Sequence, residues 1–226
     1  MRVFKTAASV APCILVVLRL FLAGALPAPS ETVHGNLGRQ LDTYMSRLEK
    51  FGFSGALLVA KGGEIVLAKG YGLADRARRI PVTTDTVFSI GSITKQFTAA
   101  AILKLELQGK LRVDNPIGKF FPNVPPDKAP ITIHHLLTHT AGLRADYGGG
   151  DFDAVSRDAL VQLVFATPLA SLPGKEYRYS NEGYSLLGAI IEIVTGQTYE
   201  RYLHENLFKP AGMASTGYVI PKWKRD

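Results

Sequence analysis

Cysteine is almost missing from this chain: Cys13 is the only one among 226 residues. A form that has shed its first residues would have neither disulfides nor thiol chemistry and must hold together by packing, even in an oxidising compartment. Charge of one sign is scarce too. The formal net charge of +7 falls to about +4 once residues 1–25 are set aside, too mild for a nucleic-acid surface. No apolar run reaches the ~20 residues of a membrane span, because Arg19 interrupts the N-terminal one. The 22 glycines and 13 prolines are spread without a period, which excludes collagen-like tracts, low-complexity linkers and internal repeats. What is plentiful is apolar material, 46% of residues, enough to build one sizeable core.

The N-terminus carries Arg2 and Lys5, apolar stretches at 11–17 and 20–22, and the small residues Ala23-Gly24-Ala25. That is the layout of a secretory signal peptide. The expectation is an exported protein, periplasmic or secreted, with residues 1–25 removed and residues 26–226 forming one domain. If the segment were retained, it would keep the chain near a membrane. Cys13 is preceded by Pro12, so no lipid-attachment motif is formed.

Leu41, Tyr44, Met45 and Leu48 stand at helical spacing, which predicts an amphipathic helix over residues 37–51 that covers one face of a sheet. Residues 56–60 and 64–69 read as two antiparallel strands joined at Lys61-Gly62-Gly63, whose glycines supply the positive φ of a tight hairpin. From Ile90 onward the pattern turns helical, over residues 92–107, with Gly109 as a stop.

At the first turn of that helix stands Gly91-Ser92-Ile93-Thr94-Lys95. Ser92 and Lys95 are three positions apart and share a helix face. A serine hydroxyl is a weak nucleophile, and a lysine desolvated by packed neighbours such as Phe97 can lose its proton and act as its base. The positive end of the helix would favour an oxyanion formed beside the serine. The plainer alternative makes Ser92 an N-cap and leaves Lys95 solvated. A second element, Tyr179-Ser180-Asn181, follows Pro173-Gly174 and precedes an apolar helix over residues 184–194. A tyrosine beside a lysine can carry a proton, and an asparagine amide can hold a carbonyl or the lysine. Here the alternative is a turn closed by Asn181 with Tyr179 half-buried.

Together the two elements and their surroundings resemble the class C β-lactamase and D-alanyl-D-alanine carboxypeptidase family, which includes related esterases. The likeness runs from about Leu41 to the end. It passes through Phe88-Ser89-Ile90-Gly91-Ser92-Ile93-Thr94-Lys95, then Ile133-His134-His135-Leu136-Leu137-Thr138-His139-Thr140-Ala141-Gly142-Leu143, then Tyr179-Ser180-Asn181-Glu182-Gly183-Tyr184, and Lys209-Pro210-Ala211-Gly212-Met213. The resemblance implies an α/β (α+β) fold of the β-lactamase/transpeptidase type, an antiparallel sheet flanked by helices. It implies an acyl-enzyme on Ser92, with Lys95 and Tyr179 shuttling the proton and Asn181 positioning the acyl group. The substrate would be a small molecule or peptide, a β-lactam, a D-Ala peptide or an ester, and no cofactor or metal is called for. The family's third motif, Lys or His followed by Thr or Ser and Gly on an edge strand, is not found; Ser215-Thr216-Gly217 matches it in letters only. The expectation is a C-terminally truncated member whose sheet keeps two strands and an unpaired edge.

Two other readings stand beside the serine hydrolase. One is a non-catalytic binding remnant of the same family. The other is a metal-dependent hydrolase in which His135 and His139, four apart on a helical stretch, hold zinc, although no glutamate lies between them. Gly52-Phe53-Ser54-Gly55-Ala56 falls one residue short of a nucleophile elbow and leads into a strand rather than a helix. The glycine-rich loop over residues 147–153 is a candidate for the rim of the cleft.

Overall fold

The structure, a computed structural model, describes residues 31–144 and 156–218. The N-terminal segment expected to be a signal peptide, with Cys13, the loop over residues 147–153 and the last eight residues lie outside the described residues.

Strand β1 (Thr32–Val33) leads into helix α1 (Gly35–Lys50), and a hairpin of β2 (Gly55–Lys61) and β3 (Glu64–Tyr71) follows. Gly62 and Gly63 adopt φ of 61° and 86°, the left-handed conformation a tight turn needs. The sheet order is β1-β3-β2, all antiparallel, with Thr32 opposite Ala68, Leu57 opposite Lys69 and Val59 opposite Leu67. A bulge between Val59 and Ala60 shifts the register next to the turn. Among the described residues the sheet therefore has three strands rather than the expected two. The extra strand is only two residues long, too short to show a period of two, and its ladder is extended by the His34 N–H donating to the Val66 carbonyl at 2.9 Å. A separate two-stranded ribbon pairs β4 (Leu73–Asp75) with β5 (Ile80–Pro81).

Helix α1 lies on β3. Beneath it Met45, Leu67, Ala68 and Tyr71 are buried, and Asp42 accepts from the Lys69 ammonium and the Tyr71 hydroxyl, each at 2.9 Å. Among the described residues that follow, the α-helices are α2 (Thr94–Leu107), α3 (Ile133–Leu137), α4 (Arg157–Ala166), α5 (Asn181–Thr195) and α6 (Tyr199–Leu203). Helix α5 is their axis, packed against α2, α3, α4 and α6. Its Leu186, Leu187, Ile190 and Ile191 are wholly buried and meet Ile102 and Leu105 of α2, Ile133 and Leu136 of α3, and Val164 of α4 in one apolar cluster. A helix apolar on so wide a face is stable only as the centre of a bundle. No helix among the described residues is long and apolar enough to cross a membrane.

Candidate active site

Three chain segments converge at the N-terminal ends of α2 and α5. The first is the 3-10 turn Gly91–Ile93, which runs directly into α2. Gly91 has φ +49° with open space where a side chain would sit, so the requirement for glycine is one of backbone conformation alone. Ser92 lies within the 3-10 turn, so the α-helix begins at Thr94 rather than at Ser92. No side chain caps α2; the 3-10 turn runs straight into it, the Thr94 N–H donating to the Gly91 carbonyl, so Ser92 stands at the positive end of the helix dipole.

The second segment delivers Tyr179 and Asn181. Residue Ser180 between them is buried and is the N-cap of α5: its Oγ accepts from the Gly183 N–H at 3.1 Å and donates to Glu182 Oε2 at 2.9 Å. The helix thus starts at Asn181, three residues before the expected Tyr184, because the capping serine overrides the loop-like look of Asn181-Glu182-Gly183.

The four residues singled out in the sequence are brought together. Tyr179 OH donates to Ser92 Oγ at 2.6 Å, and Lys95 Nζ donates to Ser92 Oγ at 3.1 Å and to Asn181 Oδ1 at 2.7 Å. The Lys95 ammonium lies 4.7 Å from the centre of the Tyr179 ring and 5.7 Å from that of Tyr184. The rings beside the ammonium come from the segment before α5 and from α5 itself, while Phe97, the neighbour named from the sequence, packs edge-on against Phe208 at 5.2 Å. Position along one helix gives no clue to partners arriving from elsewhere. The Tyr179 phenol is held below its ordinary pKa, first by hydrogen bonding to Lys95 and then to Ser92, against a smaller effect of burial. Ser92 is exposed, so the nucleophile is open to a substrate.

The third segment is the turn after α3. The alternative histidine pair, His135 and His139 on one helix, does not form: α3 ends at Leu137, and His139 sits beyond it with φ +58°. His135 Nδ1 accepts from the Thr132 N–H at 3.2 Å, closing a capping box at the start of α3. His139 Nδ1 accepts from the Ser180 N–H at 3.1 Å, and its ring lies against those of Tyr179 and Tyr184. Each ring thus has one nitrogen committed to the backbone, and among the described residues no group of three His, Cys, Asp or Glu side chains could hold a metal. Ser215-Thr216-Gly217 lies in turn and irregular backbone, not on a strand. Ser54 Oγ accepts from the Leu73 N–H and serves the start of β2.

Ser180, His139 and Tyr184 are the contributors that sequence reasoning missed. A serine ahead of an apolar run is an N-cap signal that could have found the first; the other two reach the site only through the packing of α3 on α5.

The family model described as Beta-lactamase matches residues 44–225. The chain belongs to the β-lactamase family. Among its relatives in that family, PbpX of Bacillus subtilis strain 168, named as a penicillin-binding protein, is 38% identical over 171 residues, covering 76% of this chain and 43% of PbpX. The octameric penicillin-binding protein homologue from Pyrococcus abyssi superposes with a TM-score of 0.67 at 33% identity, over 80% of this chain and 44% of that one. The D-amino acid amidase from Ochrobactrum anthropi SV3, solved with D-phenylalanine, gives a TM-score of 0.71 at 28% identity, over 80% of this chain and 52% of the amidase. The chain thus spans less than half the length of its curated β-lactamase-family relative. The helices beside a small antiparallel sheet are the α+β architecture of that family.

Proposed function

We propose that this chain carries the nucleophile of a serine hydrolase that works through an acyl-enzyme on Ser92. The observation that carries the reading is the contact of Ser92 Oγ with both Tyr179 OH at 2.6 Å and Lys95 Nζ at 3.1 Å. With Tyr179 as phenolate, the short bond reverses: the Ser92 hydroxyl donates its proton to Tyr179 as Oγ attacks a carbonyl carbon. The Lys95 ammonium beside the ring favours that phenolate and offsets the negative charge as it moves. The oxyanion that forms is met by the Ser92 N–H at the start of α2. Collapse expels the amine or alcohol, which takes the proton back from Tyr179, and water then releases the acyl group by the reverse sequence. Asn181, whose Oδ1 is occupied by Lys95, has its amide NH2 left to orient the acyl chain.

The substrate class is a carbonyl compound, a β-lactam, a D-Ala peptide or a small ester; the names penicillin-binding protein and D-amino acid amidase among its relatives support a lactam or a D-amino acid amide. Export through the N-terminal signal segment, to the periplasm or the medium, fits that class. Intact-mass spectrometry after incubation with a penicillin and, separately, an activated ester tests the reading, with Ser92→Ala as control. A mass increase of one acyl group that Ser92→Ala abolishes is the expected result. Folded protein that gains no mass with either reagent overturns it for this chain.

A further inference from the structure

We propose that His139 is a positioning residue for Tyr179, and that it holds that tyrosine on Ser92 only while its imidazole is neutral. This rests on the acyl-enzyme reading and extends it to a residue that touches neither Ser92 nor, through that contact, the reacting atoms.

The two residues that flank Tyr179, Arg178 and Ser180, are both tied to His139 through their backbone N–H groups. The Arg178 N–H donates to the His139 carbonyl at 2.7 Å, and the Ser180 N–H donates to His139 Nδ1 at 3.1 Å. Between these anchors the imidazole stacks on the Tyr179 ring, with centroids 4.6 Å apart and planes inclined by 30°. Backbone on either side and ring face are thereby fixed by one residue, which leaves the phenol little freedom except to point at Ser92. His139 is itself braced. The Tyr184 ring lies 5.0 Å from it, tilted by 35°, and Tyr184 OH is tied to the Leu137 carbonyl at 3.0 Å, while Tyr177 meets the imidazole edge-on at 5.7 Å. The left-handed φ of +58° is a conformation a non-glycine residue adopts only when its surroundings impose it.

An acceptor at Nδ1 requires that nitrogen to be unprotonated, so the proton of the neutral ring is on Nε2. Protonation puts a second N–H opposite the Ser180 N–H, donor against donor, and breaks the anchor. The groups that face the imidazole are Lys95 from α2, Tyr177 and Tyr179 from the segment before α5, and Tyr184 within α5; no carboxylate is among those that perturb it. Burial first, and the Lys95 ammonium second, hold the imidazole below its ordinary value of 6.5, which keeps it neutral at neutral pH. The anchor should thus fail only in acid.

The test compares the full chain with its His139→Gln and His139→Phe variants by two readouts. The first is the pH dependence of Ser92 acylation by an activated ester, followed by intact mass. The second is the ionisation of the Tyr179 phenol, followed at 295 nm as the difference from Tyr179→Phe. In the wild type, the slope of log rate against pH should steepen from about one to about two once His139 begins to protonate. Glutamine offers an amide oxygen that does not titrate, so His139→Gln should acylate measurably with a slope that stays near one. Phenylalanine keeps a ring and loses the acceptor, so His139→Phe should acylate about tenfold or more slowly at neutral pH, with the difference from the wild type shrinking in acid as His139 protonates. Its Tyr179 ionisation should move up, toward that of an isolated phenol. If His139→Phe keeps both the wild-type rate and the wild-type Tyr179 ionisation, the inference is wrong. If His139→Phe does not fold, a His139→Gln slope that steepens as in the wild type is equally decisive against it. A wild type that forms no adduct removes the acyl-enzyme reading alone; Tyr179 ionisation that is the same with His, Gln and Phe at 139 removes the positioning role.

Discussion

The sheet and the helical body of this molecule are built to different standards of closure. In the helical body, α5 is surrounded, and its Leu186, Leu187, Ile190 and Ile191 have no exposed surface. In the sheet, β2 has a partner on one side only among the described residues, and Leu58 on it is 61% exposed. The layer under α1 does not belong to the helical cluster and is held in part by polar contacts, Asp42 with Lys69 and Tyr71. Every side chain of the candidate site comes from the helical body. Chemistry that needs ångström placement sits on the rigid part, which is where preorganisation is least costly to maintain.

The comparison is broken most severely by removing the nucleophile. Ser92→Ala should lower acylation by about 10⁴-fold or more while circular dichroism and the melting temperature stay as in the wild type. Tyr179→Phe deletes the proton carrier but keeps the stack on His139, and should cost about 10²- to 10⁴-fold in acylation rate with little change in stability.

These residues were legible in the sequence because chemistry leaves a short pattern: Ser92 and Lys95 within one helical turn, Tyr179 and Asn181 two apart. The hairpin was legible because Gly62-Gly63 punctuates two runs of strand-forming residues. What was not legible depends on contacts between segments far apart in the chain. Phe97 and Lys95 are neighbours on one helix, yet Phe97 turns to Phe208 and Lys95 to Tyr179. His139 reads as the second member of an i, i+4 pair until the helix is seen to stop at Leu137. β1 is two residues long and carries no periodicity, and Ser180 was hidden by a helix start placed three residues late.

Core truncation sharpens the contrast. Ile190→Ala, at a position without exposed surface, should cost about 2–5 kcal/mol in urea denaturation and loosen the site with it. Acid should then separate the two regions. His135 and His139 are both depressed below 6.5, chiefly by burial, so their contribution to stability is complete above that value and is lost as pH falls through the folded-state values. Asp42 is depressed below 3.8, first by its hydrogen bond to Lys69, so its contribution survives until the solution is far more acidic. Hydrogen exchange at pH 5 compared with pH 7.5 should show α3 and the start of α5 losing protection while β3 keeps it. Equal loss in both regions would contradict the assignment. The smallest effect belongs to the open sheet edge: Leu58→Glu, on a side chain that is mostly exposed, should change stability by no more than about 0.5 kcal/mol and leave acylation unaltered.

The capping serine at the head of α5 has a further consequence. Ser180 is extended, with φ −142° and ψ 127°, and in extended chain alternate side chains leave on opposite faces. Tyr179 and Asn181 therefore look the same way, toward Ser92 and Lys95, while the residue between them is turned inward and sealed. The tripeptide is a parity device. Inserting a single residue between Tyr179 and Asn181 would end that alternation, so that the phenol and the amide could no longer both face Ser92 and Lys95 while Ser180 capped α5.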